Sequence, residues 1–137
     1  MGLDPEIWGP KGWFFLHSIT LNYPDNPTTD DKQNYKMFFE SLKNVLPCEF
    51  CSKHFKENFD KHPLNDEILN TKKNLVNWLI EMHNEVNRLD NKKIYKYREV
   101  IDLYKNIYTP NNNNNNIFVY VFIAVVICII IYIILKK

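Results

Sequence analysis

Nineteen consecutive residues, Ile117 to Leu135, are apolar or aromatic, and Lys136 and Lys137 follow them. At about 1.5 Å of rise per residue, such a run in helical form spans a hydrocarbon core of about 30 Å. Buried helices of soluble proteins seldom run this long without a polar residue, so the stretch reads as a transmembrane helix and a single-pass C-terminal anchor. Before it stand Pro110 and six asparagines, Asn111 to Asn116, a polar, uncharged stretch with nothing to bury. The chain therefore divides into a domain over 1–108, a linker over 109–116 and the membrane segment over 117–135. The first of these must build its core alone.

About 110 residues suit one domain with one core. Three glycines and 15% aromatic residues favour compact packing over disorder. Seventeen basic residues stand against 16 acidic ones, which removes the electrostatic footprint of a nucleic-acid binder. The domain reads as five helical segments. Pro10 is the expected start of the first, with Trp13, Leu16, His17 and Thr20 at helical spacing. Tyr23 to Pro27 form a turn, and Thr28, Thr29 and Asp30 are capping candidates for a second helix striped by Tyr35, Phe38, Phe39, Leu42, Val45 and Leu46. A third runs from Pro47 to about Phe59, and a fourth from about Ile68 to Leu89 with Leu75, Trp78, Leu79, Met82, Val86 and Leu89 on one face. The fifth, Arg98 to Tyr108, carries Val100, Ile101, Tyr104 and Ile107. No segment alternates with period two. The expected fold is all-α, a four-helix bundle plus a short fifth helix, followed by the C-terminal transmembrane helix.

Two of the three cysteines, Cys48 and Cys51, form a Cys-x-x-Cys pair directly after Pro47. Such a pair is a redox site or half of a metal site. Pro47 pushes Leu46 out of the helical region and suits a first helical turn, so the cysteines fall at a helix start. There the helix dipole stabilises a thiolate, which favours a disulfide that opens and closes. Three cysteines are too few for a secreted disulfide framework, and the third, Cys128, reads as a small hydrophobe in the membrane. No apolar run occurs near Met1, so no cleaved signal peptide is expected. Glu6 stands where myristoylation needs Ser or Thr.

Zinc is the competing chemistry, since Cys48, Cys51, His54 and His62 supply its ligand types. Their spacing, two, two and seven residues between successive ligands, does not match common structural sites, so no metal site is assigned. A second constellation lies on the fourth segment, where His83 and Asn87 share a helix face with Asn84 beside them. By itself this face reads as solvated. A non-catalytic, tail-anchored helical adaptor would use the aromatic stripes as core alone, but it has no need of a Cys-x-x-Cys at a helix start.

Taken in order, Trp8-Gly9-x-x-x-Trp13-x-x-x-His17, Tyr23-Pro24-x-x-Pro27, Pro47-Cys48-x-x-Cys51 and Trp78-x-x-x-x-His83-Asn84-x-Val86-Asn87 resemble the Erv/ALR family of FAD-linked sulfhydryl oxidases. The short length and single cysteine pair look most like the forms encoded by large cytoplasmic DNA viruses. The resemblance implies a flavoprotein thiol oxidase that forms disulfides in protein substrates and passes electrons through the cysteine pair and FAD to O2, giving H2O2. It implies Cys51 as the flavin-proximal thiol and Cys48 as the thiol that exchanges with substrate. Gly9, Lys11, Gly12, Trp13, His17, Tyr23, His83, Asn84, Val86, Asn87 and Lys92 match flavin-contacting positions, with Tyr95 and Tyr104 where the motif thins. The chain lacks the family's extra shuttle Cys-x-x-Cys and the structural disulfide near the C-terminal helix. The partners implied are a protein dithiol or a thioredoxin-like carrier, O2, a second copy of the chain in a homodimer, and a host or virion membrane. The redox domain is expected on the cytosolic side.

Overall fold

A computed structural model of the chain describes residues 2–109 and 114–136. The described residues form seven helices and no strand: α1 (Pro5–Leu21), α2 (Thr29–Val45), α3 (Glu49–Lys61), α4 (Asp66–Leu69), α5 (Lys72–Leu89), α6 (Tyr97–Tyr108) and α7 (Asn114–Leu135). The all-α expectation holds, with α1, α2, α3 and α5 as the bundle and α6 as the fifth helix. The chain divides into two compact units, Met1–Val100 and Ile101–Lys137.

Three boundaries differ from the sequence reading, each for a local reason. Helix α1 starts at Pro5 rather than Pro10, because Asp4 caps it by accepting from the Glu6 N–H at 2.9 Å and Pro5 takes the first helical position. Pro10 lies inside the helix, where it removes one backbone bond. The helix continues because Leu16, His17 and Thr20 beyond it are buried. Helix α3 starts one step after Cys48, which is the extended N-cap rather than a helical residue. The single helix expected over 68–89 is two, since Asn65 and Thr71 each cap a new start, accepting from the N–H of Ile68 at 3.0 Å and of Asn74 at 3.1 Å. The cap expected near Thr28 is a capping box with Asp31.

In the first unit, α1, α3 and α4 pack on α5. Leu75 and Leu79 are fully buried there, and Trp78 receives Phe39 and Phe59 edge-on at 5.1 and 5.6 Å. Each such side chain contributes about 1.5–3 kcal/mol by leaving water, and edge-on ring pairs add to that. The Trp78 indole N–H donates to the His62 carbonyl at 2.7 Å, tying the end of α3 to α5. Val45 and Leu89, counted on the apolar stripes, are exposed near helix ends.

In the second unit, α7 is long and apolar enough to cross a membrane, with mean hydropathy 3.3 over Phe118–Leu135. It begins at Asn114, so the last three asparagines expected in the linker are helical, and residues 110–113 lie outside the described ones.

Candidate active site

The disulfide of the first unit lies at the start of α3. Cys48 and Cys51 are joined as a disulfide with their Cα atoms 5.1 Å apart. Cys48 Sγ accepts from the Cys51 N–H at 3.2 Å, so the sulfur does for α3 what a serine oxygen does at an ordinary N-cap. Both sulfurs of the pair thus lie at the start of α3, where the helix dipole and the unpaired amides favour negative charge. A cleft of about 440 Å³ opens beside this turn, lined by Gly2, Lys43, Asn44, Leu46, Pro47, Cys48, Glu49 and Ser52. Cys48 borders it and Cys51 does not.

A second cluster joins α1 to α5. Trp13 and His17 are four apart on α1, and His83 and Asn87 four apart on α5, so each pair shares a face. The Trp13 ring stacks on His83 with centroids 4.0 Å apart and planes 6° off parallel. His17 Nε2 and His83 Nδ1 are 3.1 Å apart. Burial first, and then the neighbouring His83, hold His17 down to a pKa of about 3. Burial first, and then the Lys92 ammonium, hold His83 at about 4. Both rings are therefore neutral near pH 7, and one nitrogen of the close pair donates while the other accepts.

The neighbouring residues fall into two groups. Asn87 is 6% exposed and no described residue hydrogen-bonds its side-chain amide, while its carbonyl accepts from the Lys92 N–H at 2.8 Å. The Lys92 ammonium pairs with Asp90 at 2.9 Å and Glu6 at 3.6 Å, which places a cation beside the start of α1. Asn84 behaves differently. Its amide donates to the Tyr95 carbonyl at 2.9 Å and its oxygen accepts from the Tyr95 N–H at 3.0 Å, so it pins the segment after α5.

The remaining sequence candidates are placed as follows. Gly9 has open space where a Cβ would stand, Gly12 lies against the Trp8 ring, Lys11 is exposed and Val86 half-buried. Tyr23 is fully buried in the core, donating to the Leu69 carbonyl at 2.8 Å and meeting Tyr35 edge-on. Tyr104 belongs to the second unit, where its ring lies 6.3 Å from Tyr108 and burial pushes its pKa up to about 12. Sequence reasoning missed Gly2 and Leu3 beside Cys48, for which no signal exists in the chain. It also passed over Lys43, Asn44, Glu49 and Ser52, whose nearness to Cys48 in sequence was a usable clue.

Comparison with known proteins adds an independent line. Residues 10–108 match the Erv1 / Alr family. A probable FAD-linked sulfhydryl oxidase of Acanthamoeba polyphaga mimivirus is 44% identical over 108 residues, covering 79% of this chain and 76% of that protein. An FAD-linked sulfhydryl oxidase of African swine fever virus is 35% identical over 101 residues, covering 74% of this chain and 79% of that one. Among solved structures, the FAD-binding domain of Erv1 from Saccharomyces cerevisiae superimposes with TM-score 0.65 at 28% identity, over 70% of this chain and 89% of that one. The match spans every element from α1 to α6, the cysteine pair and the ring cluster included: this chain belongs to the Erv1 / Alr family.

Proposed function

We propose that the chain is an FAD-linked sulfhydryl oxidase acting on protein thiols, with Cys48 exchanging with substrate and Cys51 delivering electrons to the flavin. The observation that carries this is the disulfide at the start of α3, of which Cys48 alone borders an open cleft. A substrate thiolate attacks Cys48 Sγ, a new substrate–Cys48 bond forms, the Cys48–Cys51 bond breaks and Cys51 leaves as a thiolate. The second substrate thiolate then attacks the substrate's own sulfur in the mixed disulfide and releases Cys48. The substrate has lost two electrons and two protons, and the cysteine pair has gained the electrons.

FAD, when bound, supplies the two-electron acceptor and the route onward to dioxygen, with hydrogen peroxide as the product. The residues present fit such a group. The stacked Trp13–His83 pair and His17 offer flat, uncharged aromatic surface suited to a heterocycle. The Asn87 side-chain amide makes no hydrogen bond to a described residue, and Lys92 supplies a cation suited to a phosphate. Trp13, His17, His83, Asn87 and Lys92 would hold the cofactor directly, with Gly9, Lys11, Gly12 and Val86 lining it. Asn84 holds the Tyr95 segment in place, and Tyr23 braces the core beneath through the Leu69 carbonyl. The reading includes α7 as a membrane anchor with the redox domain on the cytosolic side, and a homodimer, supported by Phe15 and Met37 left exposed on α1 and α2.

The test is direct. Full-length protein purified in detergent should be yellow and should consume oxygen with a dithiol, and Cys48→Ser should stop turnover while the colour stays. A colourless, zinc-containing preparation would refute the flavin reading, and a domain protected from protease in intact vesicles would refute the cytosolic side.

A further inference from the structure

The segment Gly2–Leu3 lies across the backbone of the Cys48 turn. The Leu3 N–H donates to the Pro47 carbonyl at 2.7 Å, and the Leu3 carbonyl accepts from the Trp8 indole N–H at 3.2 Å. Gly2 forms part of the cleft wall beside Cys48. A Cβ on Gly2 would stand 3.0 Å from Cys48 Cα and 3.3 Å from the Pro47 oxygen, both backbone atoms that cannot swing aside. A strap of backbone with no side chain at its closest point therefore rests on the residue that receives the substrate's sulfur. The Leu3 side chain is 65% exposed, so these two hydrogen bonds rather than its burial hold the strap.

A mixed disulfide brings the two cysteine Cα atoms to within about 4.4–6.8 Å of each other. A substrate backbone that comes through the cleft enters the shell around Cys48 Cα whose wall Gly2 forms. Its N–H groups, like any placed against protein, need acceptors there. The Pro47 carbonyl is such an acceptor, already paired with the Leu3 backbone N–H, and main-chain pairing of this kind recognises extended peptides of varied sequence.

We infer that the Gly2–Leu3 strap holds the place of the substrate's backbone: an extended, cysteine-bearing polypeptide segment reaches Cys48 by displacing it and takes over the Pro47 carbonyl. A small dithiol has no flanking chain and does not need the place. The inference rests on the assignment of Cys48 as the exchanging thiol.

Two variants of the full chain in detergent test it: Gly2→Val, whose side chain cannot fit against Cys48, and Leu3→Pro, which removes the donor to Pro47. The readout is reduction of the Cys48–Cys51 disulfide under anaerobic conditions, by an unfolded Cys-x-x-Cys peptide and by dithiothreitol, scored by mass spectrometry after alkylation. It needs no flavin. The peptide rate should rise about two- to tenfold in both variants, the range one net hydrogen bond is worth, with the dithiothreitol rate changing less than about twofold. A peptide rate that is unchanged or slower, or an equal gain for both reductants, would overturn the strap's role. The underlying assignment has its own check, because the peptide should be trapped on Cys48 in the Cys51→Ser variant. Failure to trap it there refutes the assignment whatever the strap variants do.

Discussion

Mild acid should destabilise this domain well before its carboxylates titrate, through the ring pair between α1 and α5. His17 and His83 have folded pKa values of about 3 and about 4 against 6.5 in an unfolded chain. As the pH falls, the unfolded chain takes up these protons first. The contribution of keeping both rings neutral is therefore fully present above about pH 6.5 and is lost progressively below it, down to the folded values. At pH 5.0 each ring that protonates only on unfolding costs about 2 kcal/mol, so the pair costs at most about 4 kcal/mol. Domains of this size have about 5–15 kcal/mol in all. Asp31 and Glu99, whose pKa values are lowered by hydrogen bonds to Thr28 and Lys93 first of all, start to lose their contribution only as the pH falls through the ordinary carboxylate range, so little of it is gone at pH 5.0. The assay is urea unfolding of the full chain followed by circular dichroism at pH 7.5 and pH 5.0, for the wild type and for the double variant His17→Gln, His83→Gln. The wild type should lose about 3–4 kcal/mol between the two conditions, and the variant, less stable at the start, under about 1 kcal/mol. Equal losses in both proteins would refute the assignment of the pH dependence to this pair.

Cys51→Ser should abolish reduction of the bound flavin by dithiol while leaving the cofactor in place, as visible spectra under anaerobic dithiothreitol will show. His83→Ala with Asn87→Ala should lose flavin on dialysis before losing helical ellipticity, since each removed partner leaves a polar group unpaired at about 1–3 kcal/mol. Asn84→Ala removes both hydrogen bonds to the Tyr95 backbone and should lower stability by about 1–3 kcal/mol, with faster amide exchange at Tyr95. Asn58→Leu should raise the thermal midpoint, because Asn58 Nδ2 is buried on α3 with no hydrogen-bond partner among the described residues and leucine keeps the same branching without polar atoms. A lower midpoint would mean that this amide has a partner in the loaded protein.

What the sequence by itself determined is what short-range physics encodes. Nineteen apolar residues form a helix long and apolar enough to cross a membrane, and α7 is that helix. Period-3.6 stripes placed Leu75, Trp78, Leu79 and Met82 on the buried face of α5. Pro47 forced Leu46 out of the helix, as its extended C-cap geometry shows, and so put the cysteine pair at a helix start. Even the errors were local: Asp4 and Thr71 are capping residues whose signal was present but outweighed by Pro10 and by an unbroken apolar stripe.

Tertiary structure decided the rest, because packing alone brings distant segments within a hydrogen bond's reach. His17 and His83 stand 66 positions apart, and nothing in either helix fixes the rotation that sets their nitrogens 3.1 Å from each other. The packing of α1 on α5 does, and the same contact removes both rings from water and makes them neutral. Asn84 and Asn87 look alike in the sequence. The backbone that reaches Asn84 is that of Tyr95, so one amide is engaged as a clamp and the other makes no hydrogen bond to a described residue. The placement of Gly2 against Cys48 has no trace in composition, spacing or periodicity. A segment without a repeating pattern is positioned only by the surface on which its backbone finds acceptors.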